Sequence, residues 1–165
     1  MKKKKTWREK LLDKKDLPKV VELTGKLKDK FGEGTMVIPA PIEVDEIMRF
    51  VPFGKLITVN EIREILRIKH NTTTACPLTT GIFVWISANA AEDDRREGKK
   101  NITPYWRTLK SGGFLNPKYP GGDENHKVLL EMEGHKVLKK GKKFFVKDYK
   151  NSVVDIEEIL TKLSL

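Results

Sequence analysis

A pair of amphipathic segments joined by a short polar turn constrains this chain more than any other feature of its sequence. Thr58 is suited to cap the first segment, and Glu61, three residues later, completes a capping box. The polar run 70–74 separates this helix from a second one, for which Pro77 fits the first position. Apolar side chains at helical spacing predict an inward stripe on the second helix, formed by Leu78, Ile82, Trp85 and Ile86. A helix, a short polar turn and a longer helix predict a helix-turn-helix.

An alternating pattern near the C-terminus predicts a β-hairpin. Residues 135–149 carry two short apolar runs on either side of the lysine-rich turn 139–143. A further helix is expected from about residue 153. With the helix-turn-helix, these elements predict a mainly α fold with a small β-hairpin, resembling a winged helix. The expected division is a basic helical N-terminal extension (1–35), the winged-helix-like domain (36–150) and a C-terminal helix (151–165).

Three other segments have recognisable local patterns. In the N-terminal extension, Trp7, Leu11 and Leu12 fall at helical spacing. Apolar residues at the same spacing over 20–31 predict another helix there. The prolines of residues 36–41 predict an extended linker. Asp123 is expected to cap a helix that runs to about residue 133. The inward residues of that helix would be Val128, Leu129 and Met132.

The charge of the chain makes polyanions its first expected partners. The formal net charge is +10 and the pI is about 9.6, which favours binding to nucleic acid or to an anionic membrane surface. Residues 1–35 contain twelve Lys and Arg against six Asp and Glu, which contributes +6 of the net charge. Such a run is either a lysine-rich face exposed to water or an arm that follows phosphates.

Composition argues against several other classes of site and partner. No run approaches the ~18 apolar residues of a membrane span, and no apolar signal region follows the lysine-rich start. We therefore expect a cytoplasmic protein without a membrane partner. The single cysteine, Cys76, excludes an internal disulfide and a multi-cysteine zinc site. The three histidines have no ligand spacing, so we expect neither a metal nor another cofactor.

The run 101–107, Asn-Ile-Thr-Pro-Tyr-Trp-Arg, is the strongest candidate for a binding site. We call it the aromatic run. It precedes the glycine-rich stretch 110–122, so we expect it to form a loop. Tyr105 and Trp106 offer flat rings on which a nucleobase could stack, and the forked guanidinium of Arg107 suits a phosphate or a base edge. The alternative is that both aromatic side chains belong to the core.

Six other residues are candidates for contacts with a DNA duplex. Hydroxyl groups at the start of a recognition helix can reach phosphates or base edges, and lysines neutralise phosphates. The candidates are Thr79 and Thr80 on the second helix, Lys99 and Lys100 before the aromatic run, and Lys140 and Lys142 at the hairpin tip. Double-stranded DNA is therefore the expected partner.

Three blocks of sequence resemble the DNA-binding domain of the alkylguanine-DNA alkyltransferases, which repair alkylated guanine by moving the alkyl group to their own cysteine. Residues 51–58, Val-Pro-Phe-Gly-Lys-Leu-Ile-Thr, resemble the opening of that domain. Residues 104–107, Pro-Tyr-Trp-Arg, stand where the family has Pro-Cys-His-Arg. Residues 121–122 and 127–135 resemble its tail. The resemblance spans roughly residues 51–137 and implies the family's fold and its binding to DNA.

The resemblance also identifies what this chain lacks. Tyr105 stands at the position of the acceptor cysteine and Trp106 at that of the activating histidine, while Glu133 matches the family's glutamate. A phenol with an ordinary pKa near ~10 stays protonated at neutral pH, so alkyl transfer to Tyr105 is not expected.

The cysteine-less alkyltransferase-like branch is similar in this respect. Its members resemble sensors that flip an alkylated guanine into the former active-site pocket and pass the lesion to excision-repair proteins. They usually have a tryptophan at the cysteine position, whereas here the tryptophan comes one residue later. The resemblance implies a DNA-binding protein that recognises alkylated or distorted DNA without alkyl transfer, with Tyr105, Trp106 and Arg107 lining the base pocket.

Two further positions depart from the family. Val59 replaces the tyrosine that helps to rotate the target nucleotide, and no residue of the segment 75–81 matches the arginine that enters the base stack. Base flipping of the usual kind is therefore not expected. Groove binding through Thr79 and Thr80 is compatible with these differences.

Two other functions are compatible with the sequence. The first is a repair enzyme on the same scaffold, acting by base excision or by alkyl transfer at Cys76, where a helix N-terminus could lower the thiol pKa. Cys76 could equally be a small apolar residue of the turn. The second is a plain winged-helix DNA-binding or regulatory protein whose aromatic pair belongs to the core. The sequence predicts no oligomeric state.

Overall fold

The computed structural model describes residues 3–165 and contains seven α-helices, three short 3₁₀ helices and seven short strands within them. The helices are α1 (Trp7–Leu12), α2 (Gly25–Phe31), α3 (Pro41–Arg49), α4 (Val59–His70), α5 (Pro77–Arg96), α6 (Gly122–Met132) and α7 (Ile156–Lys162). The strands are β1 (Lys19–Glu22), β2 (Thr35–Ile38), β3 (Ile57–Thr58), β4 (Thr74–Ala75), β5 (Thr108–Leu109), β6 (Val137–Lys140) and β7 (Lys143–Val146). The predicted mainly α fold with a small hairpin is confirmed.

The predicted helix-turn-helix corresponds to α4 and α5. The Thr58 hydroxyl accepts a hydrogen bond from the Asn60 N–H at 3.2 Å, and the Glu61 carboxylate accepts one from the Thr58 N–H at 2.8 Å. Helix α4 ends at Asn71, whose left-handed φ of 52° turns the chain toward β4. Pro77 is the first residue of α5. The local start and stop signals of this motif are therefore confirmed.

Two apolar clusters form the core of the site-bearing region. The larger joins α3, α4, α5 and α7 and includes Ile47, Ile62 and Val84. The smaller lies beneath the hairpin and includes Leu115, Leu130 and Val146. Consecutive residues Leu56 and Ile57 belong to different clusters, and β3 pairs in parallel with β5. This pairing fixes the segment that follows the aromatic run against the start of α4.

The N-terminal extension differs from the prediction. Val20 lies in strand β1 rather than in a helix, and it stands opposite Val37 in an antiparallel pair with β2. Strand β2 also pairs in parallel with β4, so residues 36–41 begin inside a sheet instead of forming a linker. Within the predicted helix over 20–31, only the part from Gly25 onward is helical. The φ of 56° at Gly25 separates it from strand β1. Helical spacing cannot reveal a strand partner elsewhere in the chain, and β-branched valines favour such a partner.

The inward stripe predicted for α5 is only half correct. Leu78 and Ile82 are 73% and 41% exposed. Trp85 and Ile86 pack against α1, where the Trp7 ring meets Trp85 edge-on with 4.8 Å between centroids. The face of α5 that meets the core instead carries mostly small residues, among them Thr80, Val84, Ser87, Ala88 and Ala91. Helix α1 therefore covers the second half of the stripe and leaves the first half on the surface.

Helix α6 also faces the core differently from the prediction. Asp123 lies within its first turn rather than at the cap. Leu129 packs against the core as expected, but Val128 and Met132 are 54% and 73% exposed. Their place is taken by His126, which is fully buried. The apolar pattern was misleading because a histidine contributes to the buried face.

The hairpin and the C-terminal helix are confirmed. Strands β6 and β7 pair antiparallel, with Val137 opposite Val146. Asp155 caps α7 by accepting a hydrogen bond from the Glu157 N–H at 3.0 Å. Along residues 3–165, none of the helices combines the length and the apolar character that crossing a membrane would require.

Candidate nucleic-acid interface

A buried carboxylate, Glu133, holds the aromatic run in place. Its side chain is only 4% exposed. It accepts hydrogen bonds from the indole N–H of Trp106, from Nε of Arg107 at 3.0 Å and from the Gly54 N–H at 2.8 Å. The end of α6, the run at 105–107 and the loop before β3 are therefore joined at one side chain.

Arg107 is bonded within the fold, which differs from the predicted role as a phosphate ligand. Besides its pair with Glu133, the guanidinium donates from Nη1 to the Val51 carbonyl at 2.7 Å. Its side chain is 14% exposed. A forked cation with a carboxylate and a carbonyl as partners is strongly coupled to the surrounding structure. Arg107 therefore orders two loops and does not present a free cation to solvent.

Tyr105 lies in the core rather than in an open stacking site. It is 1% exposed, and its ring meets those of Trp106 and Tyr119 edge-on with centroid separations of 5.4 and 5.3 Å. The hydroxyl donates to the Glu92 carboxylate at 3.3 Å. Burial and, second, the Glu92 charge raise the pKa of Tyr105 to about 12. The phenol is therefore neutral at physiological pH, and its ring is not available for stacking on a base from solvent.

Tyr119, which packs against Tyr105, also lines a cavity of about 280 Å³. The cavity lies between the first turns of α4 and α5 and the loop 109–119. Its lining residues are Val59, Asn60 and Arg63 from α4, Pro77, Gly81 and Val84 from α5, and Leu109, Lys110, Ser111, Asn116 and Tyr119 from the loop. The Tyr119 hydroxyl donates to the Thr108 carbonyl at 2.9 Å, which fixes the ring. This volume is near the lower end for small-molecule pockets and suits a single flat ring system.

Hydrogen bonds between the wall segments hold the cavity in shape. The Asn60 amide donates to the Ser111 hydroxyl at 3.0 Å, which links α4 to the loop. Arg63 donates from Nε to the Ala75 carbonyl at 3.0 Å and from Nη2 to the Thr74 hydroxyl at 3.1 Å. These bonds tie α4 to the strand that leads into α5. The cavity is therefore a preformed feature of the fold.

The threonines predicted to meet the groove are not on the exposed face of α5. Thr80 is fully buried, and its hydroxyl donates to the Cys76 carbonyl at 2.7 Å, so the prediction for this residue differs from its position. Thr79 is half-buried, and its hydroxyl oxygen is buried without a partner among residues 3–165. Neither hydroxyl is presented to a duplex.

An apolar ridge occupies the exposed side of the start of α5 instead. It is formed by Leu78 and Ile82, one turn apart. Both line a hollow of about 440 Å³ that shares Pro77 and Gly81 with the cavity. The apolar ridge therefore lies beside the cavity.

Two of the predicted lysines lie far from the cavity. Lys99 and Lys100 follow the C-terminal end of α5, whose 20 residues span about 30 Å from Pro77. Lys99 also pairs with Asp94 at 3.2 Å. These two lysines therefore lie at the opposite end of α5 from the cavity.

The hairpin lysines lie closer to the cavity. Lys142 lines a hollow of about 380 Å³ that also contains Lys110 and Ser111, and both of these line the cavity as well. Lys140 lines a neighbouring hollow with Lys150. The hairpin and the loop 109–119 thus form a basic border along one side of the cavity.

His126 connects the aromatic run to the cavity loop. Its Nε2 donates to the Trp106 carbonyl at 2.8 Å, and its Nδ1 accepts from the Asn116 N–H at 3.3 Å. These bonds define a neutral ring with its hydrogen on Nε2. Burial lowers the pKa of His126 to about 4. No sequence pattern marks this role, because a lone histidine on an apolar face has no distinctive spacing.

We expect acid to destabilise the protein through His126. The unfolded chain takes up the proton near pH 6.5 and the folded chain only near about 4, so stability falls as the pH drops through this window. The full loss is about 3 kcal/mol. Urea unfolding at pH 7 and at pH 4.5, compared with the same pair of measurements on His126→Gln, isolates this contribution. An equal pH dependence in both proteins would contradict it.

Cys76 occupies the N-cap position of α5 without capping it through its side chain. Its N–H donates to the Val37 carbonyl at 2.9 Å, which anchors the turn to β2. The residues that line the cavity include the adjacent Pro77 but not Cys76. Within residues 3–165, no three His, Cys, Asp or Glu side chains are grouped to hold a metal ion.

The fold is similar to that of two solved structures of an alkyltransferase-like protein, ATL, from S. pombe. One is S. pombe ATL in complex with DNA, with 15% identity and a TM-score of 0.51. The other is S. pombe Atl1 in complex with damaged DNA containing O6-carboxymethylguanine, with 16% identity and the same TM-score. Each match covers 70% of this chain and 94% of the other. No protein-family model and no curated protein matches the chain in sequence. The chain therefore shares the ATL fold.

Proposed function

We propose that this chain is a DNA-binding protein that recognises alkylated or distorted duplex DNA and leaves the lesion unchanged. The observation that carries the proposal is the preformed cavity between α4, α5 and the loop 109–119. Its size suits a base turned out of the duplex. The net charge of +10 supports general affinity for DNA. The fold likeness to complexes with DNA and damaged DNA agrees with this ligand.

In this proposal the base enters the cavity, and the aromatic run packs against the residues that line it. Tyr119 is only 3% exposed and contributes no more than its accessible edge to the cavity. The amide groups of Asn60 and Asn116 that are not bonded to Ser111 and Lys118 are available to the polar edges of the base. Tyr105 packs against Tyr119 and holds its position. Trp106 and Arg107 fix the surrounding loops through Glu133 rather than contacting the base.

Binding without alkyl transfer follows from the chemistry of Tyr105. Transfer would require the acceptor oxygen to lose its proton and attack the alkyl carbon. The pKa of Tyr105 is raised to about 12, and its hydroxyl donates to Glu92. The neighbouring Trp106 offers an N–H donor, which cannot remove a proton. Cys76 does not replace this function, because it is not among the residues that line the cavity.

The apolar ridge supplies a group to fill the space that an extruded base leaves. Proteins that kink DNA often insert apolar side chains, leucine among them, between base pairs. Leu78 is suited to this role because it is 73% exposed at the start of α5 and lies beside Pro77, a cavity wall. An apolar wedge at this position would take over from the arginine expected in the related family.

We expect Leu78→Ser to lower the preference for lesion-bearing DNA about tenfold, because the inserted leucine would bury apolar surface worth roughly 1.5–3 kcal/mol. Affinity for intact duplex should change little, since phosphate contacts dominate that binding. Met132→Ser is the matched control, as Met132 is also 73% exposed but lies on α6. Fluorescence anisotropy with both duplexes measures the two affinities. A Leu78→Ser protein that keeps the full preference would rule out the wedge.

The proposal as a whole is tested by equilibrium titration. One duplex carries O6-carboxymethylguanine at its centre, and the other has guanine there, at the same salt concentration. We expect about tenfold tighter binding to the lesion duplex from the added contacts in the cavity. Equal affinities would remove lesion recognition and leave a plain DNA-binding protein.

A sensor that leaves the alkyl group on guanine requires a second activity to complete repair. We therefore propose excision-repair proteins as downstream partners of the DNA complex in the cytoplasm. The lesion must persist on the bound DNA for such a transfer, and the unreactive phenol of Tyr105 is consistent with that requirement.

A further inference from the structure

Helix α2 is a basic element that the proposed function does not use. It contains three lysines and one aspartate among its seven residues. None of these seven residues, all of which the structure describes, is buried. Lys28 lies 3.5 Å from Glu33 across a turn, whereas Lys26 and Lys30 are exposed on the helix. A helix without a buried face contributes little to the core, so its charge pattern calls for another explanation.

The last residue of α2 places this helix beside the cavity. The guanidinium carbon of Arg63, a cavity wall, lies 5.5 Å from the centroid of the Phe31 ring, and the Lys30 ammonium lies 5.2 Å from the same ring. Strand β2 follows α2 and pairs with β4, the strand before α5. Phe31 therefore positions α2 next to both helices of the helix-turn-helix.

We propose that Lys26 and Lys30 of α2 contact phosphates of the duplex that flanks the cavity. This extends the DNA-binding surface onto the N-terminal extension, on the side of the cavity that Arg63 forms. The inference rests on the DNA binding of the proposed function. Charge complementarity and the short path from Lys30 through Phe31 to Arg63 identify DNA phosphates as the occupant.

A membrane surface fits α2 less well than DNA does. A helix that lies in a membrane interface buries a continuous apolar face. Apart from Phe31 at its end, α2 offers only Leu27, which is 39% exposed. The basic face without an apolar counterpart is typical of phosphate contacts.

The salt dependence of binding to intact duplex tests the inference. Each phosphate contact contributes about 0.9 to the slope of log K against log salt. We expect Lys26→Gln/Lys30→Gln to reduce the magnitude of this slope by about 1.8 relative to the unaltered protein. The matched control is Lys136→Gln/Lys147→Gln, which removes the same charge from two exposed lysines at the open end of the hairpin that line neither the cavity nor the hollows beside it, and which should leave the slope unchanged. Thermal unfolding of each variant confirms that it is folded.

The outcomes separate this inference from the proposed function. A slope unchanged in Lys26→Gln/Lys30→Gln, with normal lesion preference, would overturn the role of α2 alone. Equal slope reductions in both variants would also overturn it, since the effect would then reflect net charge rather than position. A reduced slope specific to the α2 variant supports the inference even where intact and lesion duplexes bind equally. Failure of the unaltered protein to bind DNA would overturn both proposals.

Discussion

Gly81→Leu should abolish the preference for lesion-bearing DNA while leaving the fold intact or slightly more stable. Gly81 lies in α5 and lines both the cavity and the hollow beside the apolar ridge. A Cβ atom added there meets no atom within 4 Å, so the larger side chain can be accommodated without displacing the backbone. It would then occupy the space that we assign to the base. Replacing glycine in a helix also adds about 0.8–1 kcal/mol of helix propensity.

The expected result is a fall from about tenfold preference to none, measured by titrating both duplexes, because the base would lose the cavity contacts that we assign to it. Gly81→Ala is the control, since it gains similar helix propensity but adds only one methyl group. It should retain the preference. A Gly81→Leu protein that is folded, binds intact duplex and still prefers the lesion would show that the base does not enter this cavity.

The second large effect is expected at Glu133. Glu133→Ala should destabilise the protein by about 3–5 kcal/mol, because it leaves the buried guanidinium of Arg107 without its carboxylate. The Trp106 indole N–H and the Gly54 N–H would lose their acceptor at the same time. Glu133 accepts from three donors in two separate segments, so the loss should exceed that of an ordinary surface carboxylate.

Urea unfolding at pH 7 measures this loss. Glu131→Ala serves as the control, since Glu131 is an exposed carboxylate on the same helix and should change stability by less than about 0.5 kcal/mol. Glu133→Gln keeps an acceptor but removes the charge, and it should fall between the two. A Glu133→Ala protein as stable as the Glu131 control would contradict the role of Glu133 as the junction of the aromatic run.

Local signals in the sequence predicted the helix-turn-helix well. The capping box at Thr58 and Glu61 and the proline at the start of α5 act within a few residues, so no knowledge of distant contacts is needed. The stripe on α5 was harder to interpret. Its periodicity grouped residues that share one face, but that face is not the one that meets the core, and only the position of α1 determines that Trp85 is covered and Leu78 is exposed.

The candidate site was less predictable because its side chains depend on distant partners. Arg107 has the chemistry of a phosphate ligand, yet Glu133 lies 26 residues away in sequence and bonds to it. Tyr105 and Tyr119 are both tyrosines in or near loops. Only the fold shows that Tyr119 lines the cavity, whereas Tyr105 packs against Tyr119 and does not line it. The resemblance over residues 51–137 spans the residues that line the cavity, whereas identifying those residues required the packing of three segments.

The most direct measurement of the central claim is a competition between two duplexes for a limiting amount of protein. Equal quantities of lesion-bearing and intact DNA are mixed with the protein, and the complex is isolated and analysed by mass spectrometry. We predict enrichment of the lesion duplex in the complex, an alkyl group still attached to guanine and a protein of unchanged mass. Equal recovery of the two duplexes, or a protein heavier by the alkyl group, would contradict recognition without transfer.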